Sequence, residues 1–346
     1  MKQILVSCFF VVLLSQISHG QSIVQPVQPE AGHGGKAYTH QEVKQFDYAK
    51  KPDGYWLYEP AAPRPASAPV IVFLHGYGAY NPMIYGNWIR HLVLQGNIVI
   101  FPRYQRNLIS PGPDKFAANA ATGIRDAIEQ LQTGEHVRPE LDQLIVAGHS
   151  YGGVVAANLA TNFKAFEVPK IDALLLCSPG TGPFKGGILD SYEKMPEDVK
   201  MLVAVSVNDR TVGEKFGHMV YHATPQVLER NLIRQHPDDH GQPGLTAGHN
   251  EAYSPNLDFD TGVRNVSARR ALRIGKTDAM DYFGYWKLFD ALIECTRHGA
   301  GCQVAFGDTI AQHQLGVWSD GVPLRALEVH VPIAEAPEAQ AVGNTP

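Results

Sequence analysis

Leu144-Ile145-Val146-Ala147-Gly148-His149-Ser150-Tyr151-Gly152-Gly153-Val154-Val155-Ala156-Ala157 decides the fold. Four apolar residues run into Gly-His-Ser-Tyr-Gly, and small and apolar residues of helical character follow, so the order is strand, sharp turn, helix, with a serine at the apex. A strand that reverses into a helix over so few residues brings Gly148 and Gly152 against neighbouring backbone, where a Cβ would clash. The same turn holds Ser150 in strained dihedrals with its hydroxyl projecting. The helix after it aims its N-terminal amides at the place where negative charge would develop. A bare G-x-S-x-G also arises by chance, as a glycine-rich turn with an incidental serine; the flanking strand and helix are what set this one apart.

Working outward, continuous apolar runs recur at residues 70–74, 98–101, 144–147, 173–177 and 202–205. Runs without alternation mean strands covered on both faces, the habit of a parallel sheet. Helical patterns lie between them. Ala117, Ala121, Ile124, Ile128 and Leu131 recur at spacings of three and four, and residues 82–95 and 154–163 behave alike. Tyr282, Tyr285, Trp286, Phe289, Leu292 and Ile293 form an aromatic stripe, read as core packing on a helix starting at Asp278. The expected class is α/β, a mostly parallel central sheet flanked by helices, with antiparallel strands such as residues 55–58 before residue 70.

The ends carry their own signals. Lys2, the apolar stretch from Ile4 to Leu14 and the small residues Ser18-His19-Gly20 read as a signal peptide over residues 1–20, too short for a comfortable membrane span. Leu5-Val6-Ser7-Cys8 resembles a lipoprotein cleavage box but lies too early, because hydrophobic residues continue past Cys8. Expected next are an N-terminal linker over 21–45, disordered from Gln21 to Lys36, one catalytic domain over 46–330 with a rim or cap excursion over 179–196, and a disordered tail over 331–346. Past the leader remain Cys177, Cys295 and Cys302. In an oxidising compartment the last two, joined by a glycine-containing segment, predict a disulfide, while Cys177 in an apolar run reads as a buried small hydrophobe. No close C-x-x-C pair suggests a metal site. A net charge of -5 with no basic block argues against nucleic acid as a partner. Asn265-Val266-Ser267 is a glycosylation acceptor only in a eukaryotic secretory pathway.

A serine hydroxyl needs a base, and the base an orienting acid. In an open parallel sheet these groups sit on loops at the carboxyl ends of strands, which converge on one crevice. Asp209 directly follows the strand-like segment Met201 to Asn208, so it is the candidate acid; the alternative is an aspartate capping a turn near Thr211. After a plausible last strand at 231–235, His249 in a run of small residues is the first candidate base and His240 the second, the latter alternatively a loop histidine paired with Asp238 or Asp239. For the oxyanion hole, the backbone amides of Tyr151 and of Tyr77, in the turn His75-Gly76-Tyr77-Gly78, are the candidates. His75 reads as an anchor of that turn. Tyr77, Tyr80, Tyr85, Tyr151 and Phe184 suggest a partly apolar cleft.

Together these residues, in the chain order Ser150, Asp209, His249 with the His75–Gly78 turn before them, resemble the α/β-hydrolase superfamily over about residues 55–297. Within it the chain is similar to secreted carboxylic ester hydrolases of the chlorophyllase, platelet-activating-factor acetylhydrolase and cutinase-like polyesterase kind. The polar stretch 235–270 departs from their compact form. The resemblance implies hydrolysis of a small-molecule, lipid or polymer ester through an acyl-enzyme, with no metal or organic cofactor and no stable membrane insertion. It leaves the oligomeric state open. A serine peptidase or amidase on the same fold, and a secreted binding protein that has lost turnover, stay open as alternatives.

Overall fold

The computed structural model describes residues 22–109, 111–183 and 186–332. The leader at 1–20, Phe184, and the tail from residue 333 onward lie outside the described residues. Nine strands form one sheet in the order β1-β2-β4-β3-β5-β6-β7-β8-β9. The strands are β1 Glu42–Asp47, β2 Tyr55–Ala61, β3 Ser67–Leu74, β4 Ile98–Pro102, β5 Arg138–His149, β6 Ile171–Cys177, β7 Lys200–Ser206, β8 Arg230–Gln235 and β9 Glu328–His330. β3 to β8 pair in parallel, while β1, β2 and β9 run antiparallel to their neighbours at the two edges. This is the α/β architecture expected of the apolar runs.

Successive side chains of a strand point to opposite faces, and β3 shows how both become buried. Val70, Val72 and Leu74 enter one core with α2 (Phe116–Leu131), α3 (Tyr151–Thr161) and α4 (Lys215–His222). Ile71 and Phe73 enter the other with α1 (Gly86–Leu94), α5 (Val266–Ile274) and α6 (Lys287–His298). On that second face Trp88 stacks on Tyr285 and meets Phe289 edge-on, pairs worth about 0.5–1.5 kcal/mol beyond their buried area. The aromatic stripe is thus core. The segment leading into α6 nevertheless differs from the expected regular helix: Met280–Trp286 is wound as a π-helix. Such turns insert extra residues into a helix and are common near functional sites. This one carries Asp281 into the interior, where its Oδ1 has no hydrogen-bond partner among the described residues.

The structure corrects three expectations at the chain ends. Residues 231–235 are not the last strand, because the short polar β9 adds an antiparallel edge beside β8. The linker expected over 21–45 contains β1, so the sheet begins inside it. The described residues of the N-terminal segment expected as disordered (22–36) instead dock on the folded body. The Gly34 amide donates to Asp290 on α6 at 2.7 Å, Val24 bonds Ser319, and Gln25 bonds the Pro243 carbonyl. These polar contacts, with Ile23 packed against the core, hold the segment. Cys295 and Cys302 form a disulfide, and Cys177 is free and buried. Among the described residues, no helix is long and apolar enough to cross a membrane, and no group of three or more His, Cys, Asp or Glu side chains is placed to hold a metal ion.

Candidate active site

Ser150 stands at the tip between β5 and α3 with φ 57° and ψ -122°, a conformation that L-residues adopt only when the surroundings impose it. The surroundings are glycine. A Cβ on Gly148 would lie 2.4 Å from the Gly152 carbonyl oxygen, and one on Gly152 would lie 2.1 Å from that of Leu74. The serine backbone is pinned as well: its N–H donates to Cys177 O at 2.9 Å, and its carbonyl accepts from Gly153 and Gly180.

Asp209 lies in the turn after β7, its N–H donating to Ser206 O. The carboxylate accepts from His249 Nδ1 at 2.7 Å through one oxygen, and from the Thr211 and Val212 amides at 2.8 and 3.0 Å through the other. Burial alone would raise its pKa. The His249 hydrogen bond and charge, then the two amides, outweigh burial and hold the carboxyl below its ordinary value. A carboxylate only accepts, so His249 Nδ1 carries the hydrogen and Nε2 is free to accept. Ser150 Oγ lies 2.9 Å from that Nε2. Serine, histidine and aspartate are therefore in contact in the order a hydroxyl-activating relay requires.

His240 is not at this site. Its ring pairs with Asp320 at 2.8 Å and packs against Trp318, so neither Asp238 nor Asp239 is its ion-pair partner, although its amide donates to Asp238. His75 is fully buried with its ring nitrogens 2.7 Å from the carbonyls of Gly76 and Arg103, and burial lowers it from 6.5 to about 4. Gly76, Tyr77, Ser150, Tyr151 and His249 line one pocket of about 220 Å³, with Thr181 to Pro183 from the rim segment on its wall. As the first residue of α3, Tyr151 has a backbone N–H with no acceptor inside the helix. Of the cleft aromatics, Tyr77 and Tyr151 line this pocket whereas Tyr80 and Tyr85 are packed into the interior. The Tyr151 hydroxyl reaches across to the Gly186 carbonyl of the rim at 2.5 Å.

His149, the variable position of the serine motif, has a part that the motif itself does not signal. It is fully buried, with Nε2 at 2.8 Å from the His249 carbonyl and Nδ1 at 2.9 Å from the Tyr85 hydroxyl, which accepts the Gly76 amide at 2.9 Å. Donors and acceptors alternate along that path only if His149 is neutral. Burial, reinforced by the nearby His249, lowers it to about 3. A single chain of hydrogen bonds thus runs from the turn holding Tyr77, through Tyr85 and His149, to the backbone of His249.

The family model for chlorophyllase matches residues 33–226, more than half of the chain. The chain belongs to the chlorophyllase family. This chlorophyllase-family chain is accordingly an ester hydrolase of the α/β-hydrolase kind. The matched span holds Tyr77, Ser150, Tyr151 and Asp209 and stops before His249, so the histidine rests on geometry alone. No curated protein matches the sequence.

Proposed function

We propose that this chlorophyllase-family chain is a secreted serine esterase that cleaves carboxylic esters through an acyl-enzyme at Ser150. His249 Nε2 takes the Ser150 proton as Oγ attacks the ester carbonyl, and Asp209 holds the imidazole and stabilises its cationic form. The backbone amides of Tyr77 and Tyr151 receive the negative oxygen of the tetrahedral intermediate. His249 then returns the proton to the leaving alcohol, and a water activated the same way releases the acid. The observation that carries the reading is the unbroken contact from Ser150 through His249 to Asp209, at 2.9 and 2.7 Å. A pocket of about 220 Å³ favours a short group beside the scissile bond. The disulfide supports export to an oxidising compartment. The sheet running unbroken from Glu42 to His330 supports one catalytic domain.

Hydrolysis of a short-chain p-nitrophenyl ester series tests the assignment. Ser150→Ala or His249→Ala is expected to lower kcat by about a million-fold, to the level left by binding alone. His240→Ala is expected to retain full activity. A wild-type protein that releases no nitrophenol, or that turns over a peptide in preference to the esters, defeats the reading.

A further inference from the structure

Helix α5 carries Arg269, Arg270 and Arg273 beside the pocket that holds Ser150. Its start is tied to the candidate oxyanion turn. Asn265 Nδ2 donates to the Gly78 carbonyl at 2.7 Å and Ser267 Oγ to the Tyr77 carbonyl at 3.2 Å. Residues three apart share a helix face, so Arg270 follows Ser267 one turn on and joins Ser150, His249 and Tyr253 in lining the pocket. Arg273 comes one turn later and lines, with Lys276, an adjoining cavity of about 430 Å³ that also touches His249 and Asn250.

The arginines of this region are not equivalent. Arg264 is paired with Asp260, and Arg269 donates to the Arg264 carbonyl at 2.8 Å. Among the described residues, the Arg270 side chain has no hydrogen bond and no carboxylate within ion-pair reach, and no acidic side chain lines its pocket. The pocket thus presents one permanent cation, on a solvent-exposed side chain, among tyrosines, hydroxyl-bearing and other uncharged side chains, His249 and backbone. A guanidinium offers five N–H donors in a planar fork that fits a carboxylate or phosphate with two parallel bonds.

Given the ester-cleaving role of Ser150, on which the inference rests, we propose that Arg270 is a specificity-determining residue. It binds an anionic group, carboxylate or phosphate, carried on the ester substrate itself a few bonds from the scissile carbonyl. The esters favoured by this site are then half-esters of dicarboxylic acids, or esters bearing a phosphate, rather than wholly neutral ones.

The test compares p-nitrophenyl butyrate with mono-p-nitrophenyl glutarate, spontaneous hydrolysis subtracted, for the wild type, Arg270→Ala, Arg270→Lys and Arg269→Ala. The expected result is a ratio of kcat/KM, glutarate over butyrate, that falls about 10- to 100-fold in Arg270→Ala, mainly through KM. Arg270→Lys recovers part of it, Arg269→Ala keeps it, and added salt lowers it in the wild type. Free glutarate should inhibit the wild type competitively and Arg270→Ala far more weakly. An unchanged ratio in Arg270→Ala, with butyrate still cleaved, overturns the inference and leaves the esterase reading standing. Absence of turnover on both esters in the wild type removes the reading and the inference together. A loss confined to substrate presented in phosphatidylglycerol vesicles, absent from phosphatidylcholine vesicles and from the glutarate ester, assigns the charge to a membrane surface and overturns the proposal.

Discussion

The segment that carries Ser150 and the segment that carries His249 are built on opposite principles. Around the serine, strand, turn and helix are local, every side chain of α3 is buried, and the glycines admit a geometry that no other residue tolerates. Around the histidine, residues 236–256 contain no helix or strand, only the isolated bridge between Asp238 and Leu245. That loop is held from outside itself. Asn208 bonds the carbonyls of Ala247 and Thr246, Asp209 takes the ring, and His149 takes the His249 carbonyl. Its local ties are the paired backbone bonds of Asp238 and Leu245, the Tyr253 amide to the Asn250 carbonyl, and Glu251, which accepts from the Thr246 hydroxyl and from the Gly248 amide at 2.8 Å. The nucleophile's turn takes its shape mainly from its own glycines, with neighbouring strands pinning it, whereas the base stands on a loop shaped mainly by residues far away in the chain.

If that contrast is right, Gly152→Ala is the most damaging single change. Its Cβ meets backbone rather than a movable side chain, so a loss of about 4 kcal/mol or outright failure to fold is expected in denaturant unfolding. A variant of near wild-type stability would break the view that the turn is sterically dictated.

His149→Phe attacks the outside support of the base. It keeps an aromatic volume but leaves the His249 carbonyl and the Tyr85 hydroxyl without their partner, and each such buried group costs about 1–3 kcal/mol. Stability should fall by that order, and kcat on a short ester should fall by about 10- to 100-fold with KM little changed, because loop placement and not binding is lost. A stability loss with intact kcat would mean that the histidine loop holds itself.

The smallest effect concerns the π-helical turn. Burial, then the neighbouring Asp278 carboxyl, pushes the Asp281 carboxyl well above its ordinary 3.8. The folded state therefore keeps a proton that the unfolded chain releases above 3.8. What this group contributes is present at low pH and lost as pH rises towards its folded pKa. Asp281→Asn removes that loss, so its melting temperature relative to wild type should climb between pH 4 and pH 8. A gap independent of pH would show that the carboxyl titrates normally.

The same contrast explains which parts of the molecule are legible in its sequence. The parallel strands are, because burial on both faces leaves continuous apolar runs, and Ser150 is, because the turn needs glycines at set positions. Asp209 is legible as the first carboxylate after a strand end. His149 is not, since its position in the motif accepts many residues and its partners lie 64 and 100 residues away. β9 and the docked segment 22–40 escape a reading of hydrophobic pattern because polar contacts hold them. Arg270 sits on an amphipathic helix where an arginine ordinarily means a solvated face.

The seam between the first described residues and the last helices has a consequence for how the molecule is made. The Gly34 amide meets Asp290 across 256 positions of sequence, and Val24 meets Ser319 across 295. A chain that emerges amino end first cannot complete these contacts until nearly all of it has been delivered. The leading segment must wait for α6 to arrive, so completion of the fold comes after synthesis instead of keeping pace with it. Proteolytic clipping of that segment should accordingly be fastest on nascent or newly delivered chains and slow once α6 is in place.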